Sequence, residues 1–403
     1  MKSLFCKEEI LGYNLEVKEK IVIYTIFSFI IALFYFHFSN EQKVTGAFYY
    51  GVVFLSVLFA TIAQPSIDRP IKLFPLILSF VLLYFVLGFR DISGIDDLAY
   101  QTIFENVNTF GVWTTFLTSF MEPGYLFLCA LIGSFTDNYY VCQALTSFIP
   151  LLLFYKGFVK YQTLIYIPLA VLLLCGTLYF QMLSTSLVRM FIAISIVFYY
   201  SLHFFFYSHT KSYILSIFLA ATIHYSALIM LLFTPLTLSK DLIVKHWKKI
   251  TLFLVVVTPF FFFGASKIAG MIGGRYEVYG ENSEKTFGLD LFDTLPFLLF
   301  AVYYKNMVPI QKLNIYMGAI ILLVFSIVCS VMSLFVPLGR VIFYMNLSLY
   351  FILSMAFRIS QKNKILIAAI VILYLFLYLL ISQFMLESHA EHLFPYRNVF
   401  FTI

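Results

Sequence analysis

Arginine is the residue type that first suggests chemistry in this chain. When the apolar runs are read as membrane spans and oriented so that 16 of the 19 lysines lie inside, five of the seven arginines fall on the opposite face: Arg90, Arg189, Arg275, Arg340 and Arg397. Topology requires positive charge inside, whichever residue supplies it, so guanidinia at the outer ends of spans need another explanation. The planar guanidinium suits two-point binding of phosphate or carboxylate, and the pattern therefore predicts an anion site at the outer face.

Two carboxylates and one histidine stand where a general base could act. Asp96 lies one turn before Tyr100, Glu122 directly precedes a Pro-Gly pair, and His224 lies between two apolar arms. Asp96 could instead only cap a helix, and His224 could be a hydrogen-bonded interior residue. Ionisable groups at membrane depth are nevertheless candidates for function. Histidine titrates near neutral pH, whereas a carboxylate beside Arg90 is a weaker base, so His224 is slightly favoured as the base. Asp96 and Glu122 remain alternatives.

Composition predicts the class of protein. The chain is 62% hydrophobic and 11% charged, with a mean hydropathy of +0.94, whereas soluble domains carry about 25% charge. Apolar runs of about 18 residues or more recur, each long enough to cross ~30 Å of hydrocarbon. We therefore predict an all-α polytopic membrane protein with about 11–13 transmembrane helices and some short re-entrant or broken helices. The net charge of +6 follows from topology and does not indicate nucleic-acid binding.

The elements that must position these residues follow from the apolar runs. We predict a single integral membrane domain over residues 1–403, with 1–19 as a cytoplasmic lead-in and 90–122 and 265–288 as periplasmic segments. The predicted spans lie near 20–38, 45–63, 71–89, 139–155, 162–180, 189–207, 250–264, 289–306, 313–336, 341–357 and 364–385.

Two segments do not fit a regular span. Residues 123–135 are apolar but too short, which predicts a partial or re-entrant helix. Residues 212–236 begin and end beside cytoplasmic lysines, which predicts two short arms with a tip near 222–226. Irregular backbone at membrane depth is tolerated only where protein or a water-filled cavity covers it, so both segments are candidate sites.

In order along the chain, these residues resemble a known family. The motifs are Gly88-x-Arg90, Gly94-x-Asp96-x-x-x-Tyr100, Glu122-Pro123, the Arg189 span, His224-x-Ser226, Arg275-Tyr276, Arg340 and Pro395-Tyr396-Arg397. Their series resembles the EpsG-like branch of the Wzy polysaccharide polymerases.

The resemblance implies a metal-independent glycosyltransferase with a GT-C-like helical fold and no cofactor, in the bacterial inner membrane. Such an enzyme joins undecaprenyl-pyrophosphate-linked oligosaccharide repeat units into O-antigen, capsule or exopolysaccharide at the periplasmic face. Its partners are the lipid-linked oligosaccharide, membrane lipid and a chain-length regulator protein. The implied catalytic residues are Asp96, Glu122 and His224, and the implied contacts to pyrophosphate or glycan are Arg90, Tyr100, Arg189, Arg275, Tyr276, Arg340 and Arg397.

Three other functions are weighed against this one. A lipid-linked glycan ligase uses the same donor and the same arginines and differs only in its acceptor, so the sequence does not separate it from a polymerase. A flippase or transporter of lipid-linked glycan predicts an inverted repeat and a cationic path, and neither is evident. A metal-using GT-C transferase predicts a carboxylate pair in its first outer loop, which here is only about residues 39–44.

Overall fold

The described part of the chain is almost entirely helical, as the apolar runs predict. A computed structural model describes residues 40–64, 71–91, 96–119, 121–163, 165–175, 186–207, 210–234, 245–253, 256–257, 344, 354, 397–399 and 401–402. The helices are α1 (Asn40–Ala63), α2 (Leu73–Gly88), α3 (Asp97–Ser119), α4 (Pro123–Gly133), α5 (Tyr139–Lys160), α6 (Ile167–Cys175), α7 (Val188–Tyr207) and α8 (Thr210–Ile223). A 3₁₀ helix, Tyr225–Phe233, follows α8. The described residues also include turns, connecting segments and a hairpin of two short strands, β1 (Arg397–Asn398) and β2 (Phe401–Thr402).

One described helix, α5, is long and apolar enough to cross a membrane, and shorter apolar helices accompany it in this part of the chain. Local sequence sets the ends of α5. It begins after Asn138, whose side-chain oxygen accepts a hydrogen bond from the backbone nitrogen of Tyr140 at 2.9 Å. It ends at Lys160, whose ammonium lies 4.9 Å from the centre of the Tyr199 ring.

Buried hydroxyl groups connect α1, α2 and α5. The Ser79 hydroxyl oxygen lies 2.8 Å from that of Ser56 and 2.7 Å from that of Tyr155. A hydroxyl removed from water is costly unless it finds a hydrogen-bond partner, so these contacts select one register among otherwise apolar helices. The backbone nitrogen of Lys72 donates to the Ala63 carbonyl oxygen at 3.1 Å, and α1 and α2 therefore form an antiparallel hairpin.

Aromatic side chains pack α5 against α7, and the two helices run in the same direction. The Phe154 ring centre lies 5.7 Å from that of Phe191 and 4.8 Å from that of Phe198. Further along both helices Lys160 reaches Tyr199. Helix α6 runs the opposite way, because the backbone nitrogen of Ile167, at its start, donates to the side-chain oxygen of Gln64 at 2.7 Å, directly after the end of α1.

Lysines and arginines lie at opposite ends of these helices. Helix α2 starts after Lys72 and stops just before Arg90, and α5 ends at Lys160. Near the start of α5, Gln143 donates to the Arg90 carbonyl oxygen at 2.6 Å, so α5 runs antiparallel to α2. We call the two ends the lysine end and the arginine end. The contrast between lysine and arginine read from the sequence is thus present along the described helices.

The two irregular segments form breaks at the arginine end. Helix α4 has 11 residues and begins with proline, which fits the predicted partial helix. Helix α8 stops at Ile223, His224 is extended, and the 3₁₀ helix follows. The Tyr213 hydroxyl donates to the Met230 carbonyl oxygen at 2.9 Å, so the two arms lie side by side. The prediction of two arms with a tip near 222–226 is confirmed.

Helix α3 occupies most of the predicted periplasmic segment 90–122. It has 23 residues and is divided at Gly111, whose φ of +80° lies in the left-handed region. Glycine adopts this conformation readily because it lacks a Cβ atom. The glycine therefore lets one continuous stretch change direction about two thirds of the way along its length.

Candidate active site

A buried ion pair joins the end of α2 to the start of α3. Nη2 of Arg90 lies 2.8 Å from Oδ1 of Asp97, and the two side chains are 1% and 0% exposed. Nη1 of Arg90 also donates to the Leu87 carbonyl oxygen at 2.8 Å. Because buried charges are costly unless they are paired and hydrogen-bonded, this arrangement fixes the junction of α2, α3 and α5.

The position of Arg90 bears on the function expected for it. The sequence predicts that Asp96 lies beside Arg90 and that Arg90 contacts pyrophosphate, whereas the ion pair is formed by Asp97. The backbone carbonyl of Asp96 accepts from the backbone nitrogen of Tyr100 at 2.9 Å, at the start of α3. A guanidinium enclosed by protein offers little surface to a ligand, so the geometry favours a positioning role for Arg90.

A second ion pair joins the starts of α4 and α7. Glu122 directly precedes the first residue of α4, and its carboxylate pairs with Nη1 of Arg189, in the first turn of α7. The Arg189 side chain is 17% exposed and that of Glu122 is 8% exposed, so this pair is more open than the Arg90 pair. The positive charge of Arg189 is thus the more accessible of the two to an anionic ligand.

Tyr100 forms one side of this second pair. The guanidinium carbon of Arg189 lies 5.8 Å from the centre of the Tyr100 ring. The Tyr100 hydroxyl donates to the Ser186 carbonyl oxygen at 3.2 Å. Burial raises the pKa of the Tyr100 hydroxyl, and the nearby Arg189 charge offsets only part of the rise. The hydroxyl therefore stays protonated and serves as a hydrogen-bond donor.

The break after α8 brings His224 to the same region. The backbone nitrogen of Tyr225 donates to Oε1 of Glu122 at 3.4 Å, so this carboxylate contacts both Arg189 and the 3₁₀ helix. Gly124 lies against Thr222, where an added Cβ would stand 2.3 Å from the side-chain oxygen and 2.8 Å from the carbonyl oxygen. Glycine is required for this close approach of the two breaks.

A line of hydrogen-bonded groups holds the His224 ring. Its Nδ1 accepts from the backbone nitrogen of Ser226 at 3.3 Å and lies 2.7 Å from the Ser226 hydroxyl oxygen. The same hydroxyl lies 3.1 Å from the Tyr344 hydroxyl, contributed by a segment 118 residues further along the chain. His224 is 8% exposed and Tyr344 is 3% exposed. The ring is therefore set in one orientation.

These groups form a cluster with complementary chemical abilities. The guanidinium of Arg189 and the backbone N–H groups can stabilise negative charge. The Glu122 carboxylate can accept a proton, and the His224 imidazole can accept or donate one. We use the name site cluster for Tyr100, Glu122, Arg189, His224, Ser226 and Tyr344.

The structure brings four of the predicted site residues together: Tyr100, Glu122, Arg189 and His224. Arg397 lies in β1, and the backbone nitrogen of Val399 donates to the Phe89 carbonyl oxygen at 2.9 Å. This bond places the β1–β2 segment at the arginine end. Three predicted contacts lie outside the described residues: Arg275, Tyr276 and Arg340.

Three of the groups that hold this region together are not among the residues that the sequence predicts for the site. Asp97 directly follows the candidate Asp96, lies seven residues after Arg90 and pairs with it. Gln143 is a polar residue within an apolar run, a signal that could have pointed to a buried hydrogen bond. Tyr344 carries no such signal, because it is one of 29 tyrosines in the chain.

A protein-family model matches most of the chain. The model described as EpsG family matches residues 73–398 of the 403. The chain belongs to the EpsG family. The EpsG match includes both ion pairs and the break at His224, and it confirms the resemblance carried by the ordered motifs. No curated protein and no solved structure matches this EpsG-family chain.

Membership in the EpsG family, together with the apolar helix α5, indicates a membrane protein of exopolysaccharide polymerisation.

Proposed function

We propose that this EpsG-family protein polymerises undecaprenyl-pyrophosphate-linked oligosaccharide repeat units into a surface polysaccharide. In this proposal it is a multi-pass, GT-C-like protein of the bacterial inner membrane, and the arginine end is its periplasmic face. Its partners are the lipid-linked oligosaccharide, membrane lipid and a chain-length regulator protein.

The observation that carries the proposal is the meeting of Glu122, Arg189 and His224 where two helices break. Broken helices at membrane depth provide polar backbone groups that a polar substrate can use, while the remaining helix surface stays apolar for the lipid tail. The cluster therefore combines acid–base groups and a cation, next to apolar helix surface that can accommodate the lipid tail. These are the components that transfer from a lipid pyrophosphate requires.

The chemistry follows from the bonds that change. An acceptor hydroxyl oxygen attacks the anomeric carbon of the donor glycan, and the bond from that carbon to the pyrophosphate oxygen breaks. The developing negative charge on the leaving group must be met by fixed positive charge, which Arg189 supplies, with Arg275 and Arg340 as further candidates. The hydroxyl proton goes to a general base, for which Glu122, His224 and Asp96 are the candidates.

The decisive experiment is reconstitution. Purified protein in lipid is incubated with a lipid-linked repeat unit, and the products are separated by size. A ladder of products that differ by one repeat unit supports polymerisation, whereas a single transfer product indicates a ligase. Movement of unchanged donor across the membrane indicates a flippase, and that result together with no product would contradict the proposal.

A charge-preserving substitution tests the assigned cation. Arg189→Lys keeps one positive charge but loses two-point binding of an anion, so we expect a ten- to hundredfold loss of rate, about 1.5–3 kcal/mol. Arg358→Lys, on the predicted inner face, is the matched control and should leave the rate unchanged. An unchanged ladder in the Arg189→Lys protein would place the pyrophosphate contact elsewhere.

A further inference from the structure

We infer that His224 acts as a hydrogen-bond donor through Nε2 and is not the general base. This inference rests on the proposed function, within which it divides the chemical roles among the members of the site cluster. It reverses the slight preference for His224 as the base, because the structure reveals what occupies Nδ1.

The helix cap determines which ring nitrogen carries the hydrogen. His224 is the N-cap of the 3₁₀ helix, and its Nδ1 accepts from the backbone nitrogen of Ser226 at 3.3 Å. A backbone N–H can only donate, so Nδ1 must present its lone pair. A neutral imidazole carries one hydrogen, which therefore lies on Nε2.

The neighbouring hydroxyl groups agree with this assignment. The Tyr344 hydroxyl can donate to Ser226 across 3.1 Å, and the Ser226 hydroxyl can then donate to Nδ1 of His224 across 2.7 Å. In the opposite arrangement a hydrogen on Nδ1 would point towards the backbone N–H of Ser226, and two donors would face each other. The cap contact makes that arrangement unfavourable.

The consequence is a division of roles during transfer. The acceptor hydroxyl oxygen forms its bond to the anomeric carbon, and the pyrophosphate oxygen leaves with the electron pair. The hydroxyl proton passes to a carboxylate, either Asp96 or Glu122, and Glu122 is bound through Oε1 to the residue that follows His224. His224 keeps its proton and donates a hydrogen bond from Nε2 to the leaving pyrophosphate, a stabilisation that grows as charge develops.

Nitrogen magnetic resonance tests the tautomer without reference to activity. The protein is labelled with ¹⁵N-histidine, placed in lipid, and measured at a pH where the ring is neutral. Seven histidines contribute, and His224→Ala identifies the signals of interest by their loss. We expect a directly bonded hydrogen on Nε2 and none on Nδ1. A hydrogen on Nδ1 would overturn the inference.

Two amide substitutions test the role in transfer. His224→Gln places an N–H donor near the position of Nε2 but provides no basic nitrogen, whereas His224→Asn reaches only the position of Nδ1 and can still cap the helix. We expect the glutamine variant to stay within about tenfold of wild type and the alanine and asparagine variants to lose about 10²-fold or more. Equal losses in all three variants would identify a base, and an active asparagine variant would identify a structural cap.

The two parts of the experiment separate this inference from the proposed function. Each variant is first checked for a monodisperse, folded protein by size-exclusion chromatography and thermal unfolding. If wild-type protein forms no product from a lipid-linked repeat unit, the proposed function fails, while the labelled spectrum still decides the tautomer. If wild type is active and the spectrum shows hydrogen on Nδ1, the inference alone fails.

Discussion

Substitution of Arg90 should lower the temperature at which the protein unfolds, whatever its effect on activity. In Arg90→Met the Asp97 carboxylate stays in a site where it is 0% exposed, without its positive partner. Removal of one member of a buried ion pair costs about 3–5 kcal/mol, because the remaining charge is buried and uncompensated. The backbone contact from Gln143 to the Arg90 carbonyl oxygen is unaffected, so the loss comes from the charge.

The matching double variant isolates the pair. Arg90→Met combined with Asp97→Leu removes both charges and replaces them with apolar groups of similar size, which is often neutral or stabilising. We therefore expect the double variant to unfold near the temperature of wild type and well above either single variant. Unfolding is followed by tyrosine and tryptophan fluorescence of protein in lipid nanodiscs.

Arg189→Met is the comparison for an ion pair that is more open to solvent. The Arg189 side chain is 17% exposed, so its removal should cost less stability than the removal of Arg90 in Arg90→Met. If Arg90→Met unfolds like wild type yet binds lipid pyrophosphate weakly, Arg90 is a ligand and the positioning role is wrong. A double variant no more stable than the single variants would also show that the loss of stability does not come from an unpaired buried charge.

Three further predictions follow from the structure and the sequence. Gly124→Ala should cost about 1–3 kcal/mol by overpacking and reduce polymer formation, while Gly51→Ala, with open space around it, should not; equal effects on unfolding temperature would contradict the close approach. Single cysteines at Arg275 and Lys248 should differ in labelling of intact cells by an impermeant thiol reagent, and equal labelling would overturn the predicted orientation. Polymer formation should continue in a chelator of divalent cations, and its loss with recovery on added magnesium or manganese would show that a metal is needed.

The breaks that build the site could be predicted from sequence. A Pro-Gly pair after Glu122 gives a local signal, because proline starts a helix well and glycine permits close contact. The tip at His224 followed from the lysines on either side of its segment, which forbid a single crossing. Both signals are local or are set by the membrane, so they do not require knowledge of distant contacts.

The partners of the site residues could not be predicted in the same way. Asp96 and Asp97 are adjacent, and a helix turns by about 100° for each residue, so the choice between them depends on where α3 begins. The contact between Ser226 and Tyr344 spans 118 residues and depends on helix packing that no local pattern encodes. The tautomer of His224 likewise follows from the backbone geometry of a cap.

The spacing of these contacts along the chain has a consequence for biogenesis. Arg90 and Asp97 are separated by seven residues, Glu122 and Arg189 by 67, and Ser226 and Tyr344 by 118. Because a chain is made and inserted from its N-terminal side, the Arg90 junction can close early, whereas the Tyr344 hydroxyl can reach Ser226 only after residue 344 has emerged. A ribosome stalled before residue 344 would thus hold a protein with an assembled helical scaffold and an incomplete centre. The Tyr344 contact that completes the centre is therefore a late step of assembly, and the contact of Val399 with Phe89 follows it.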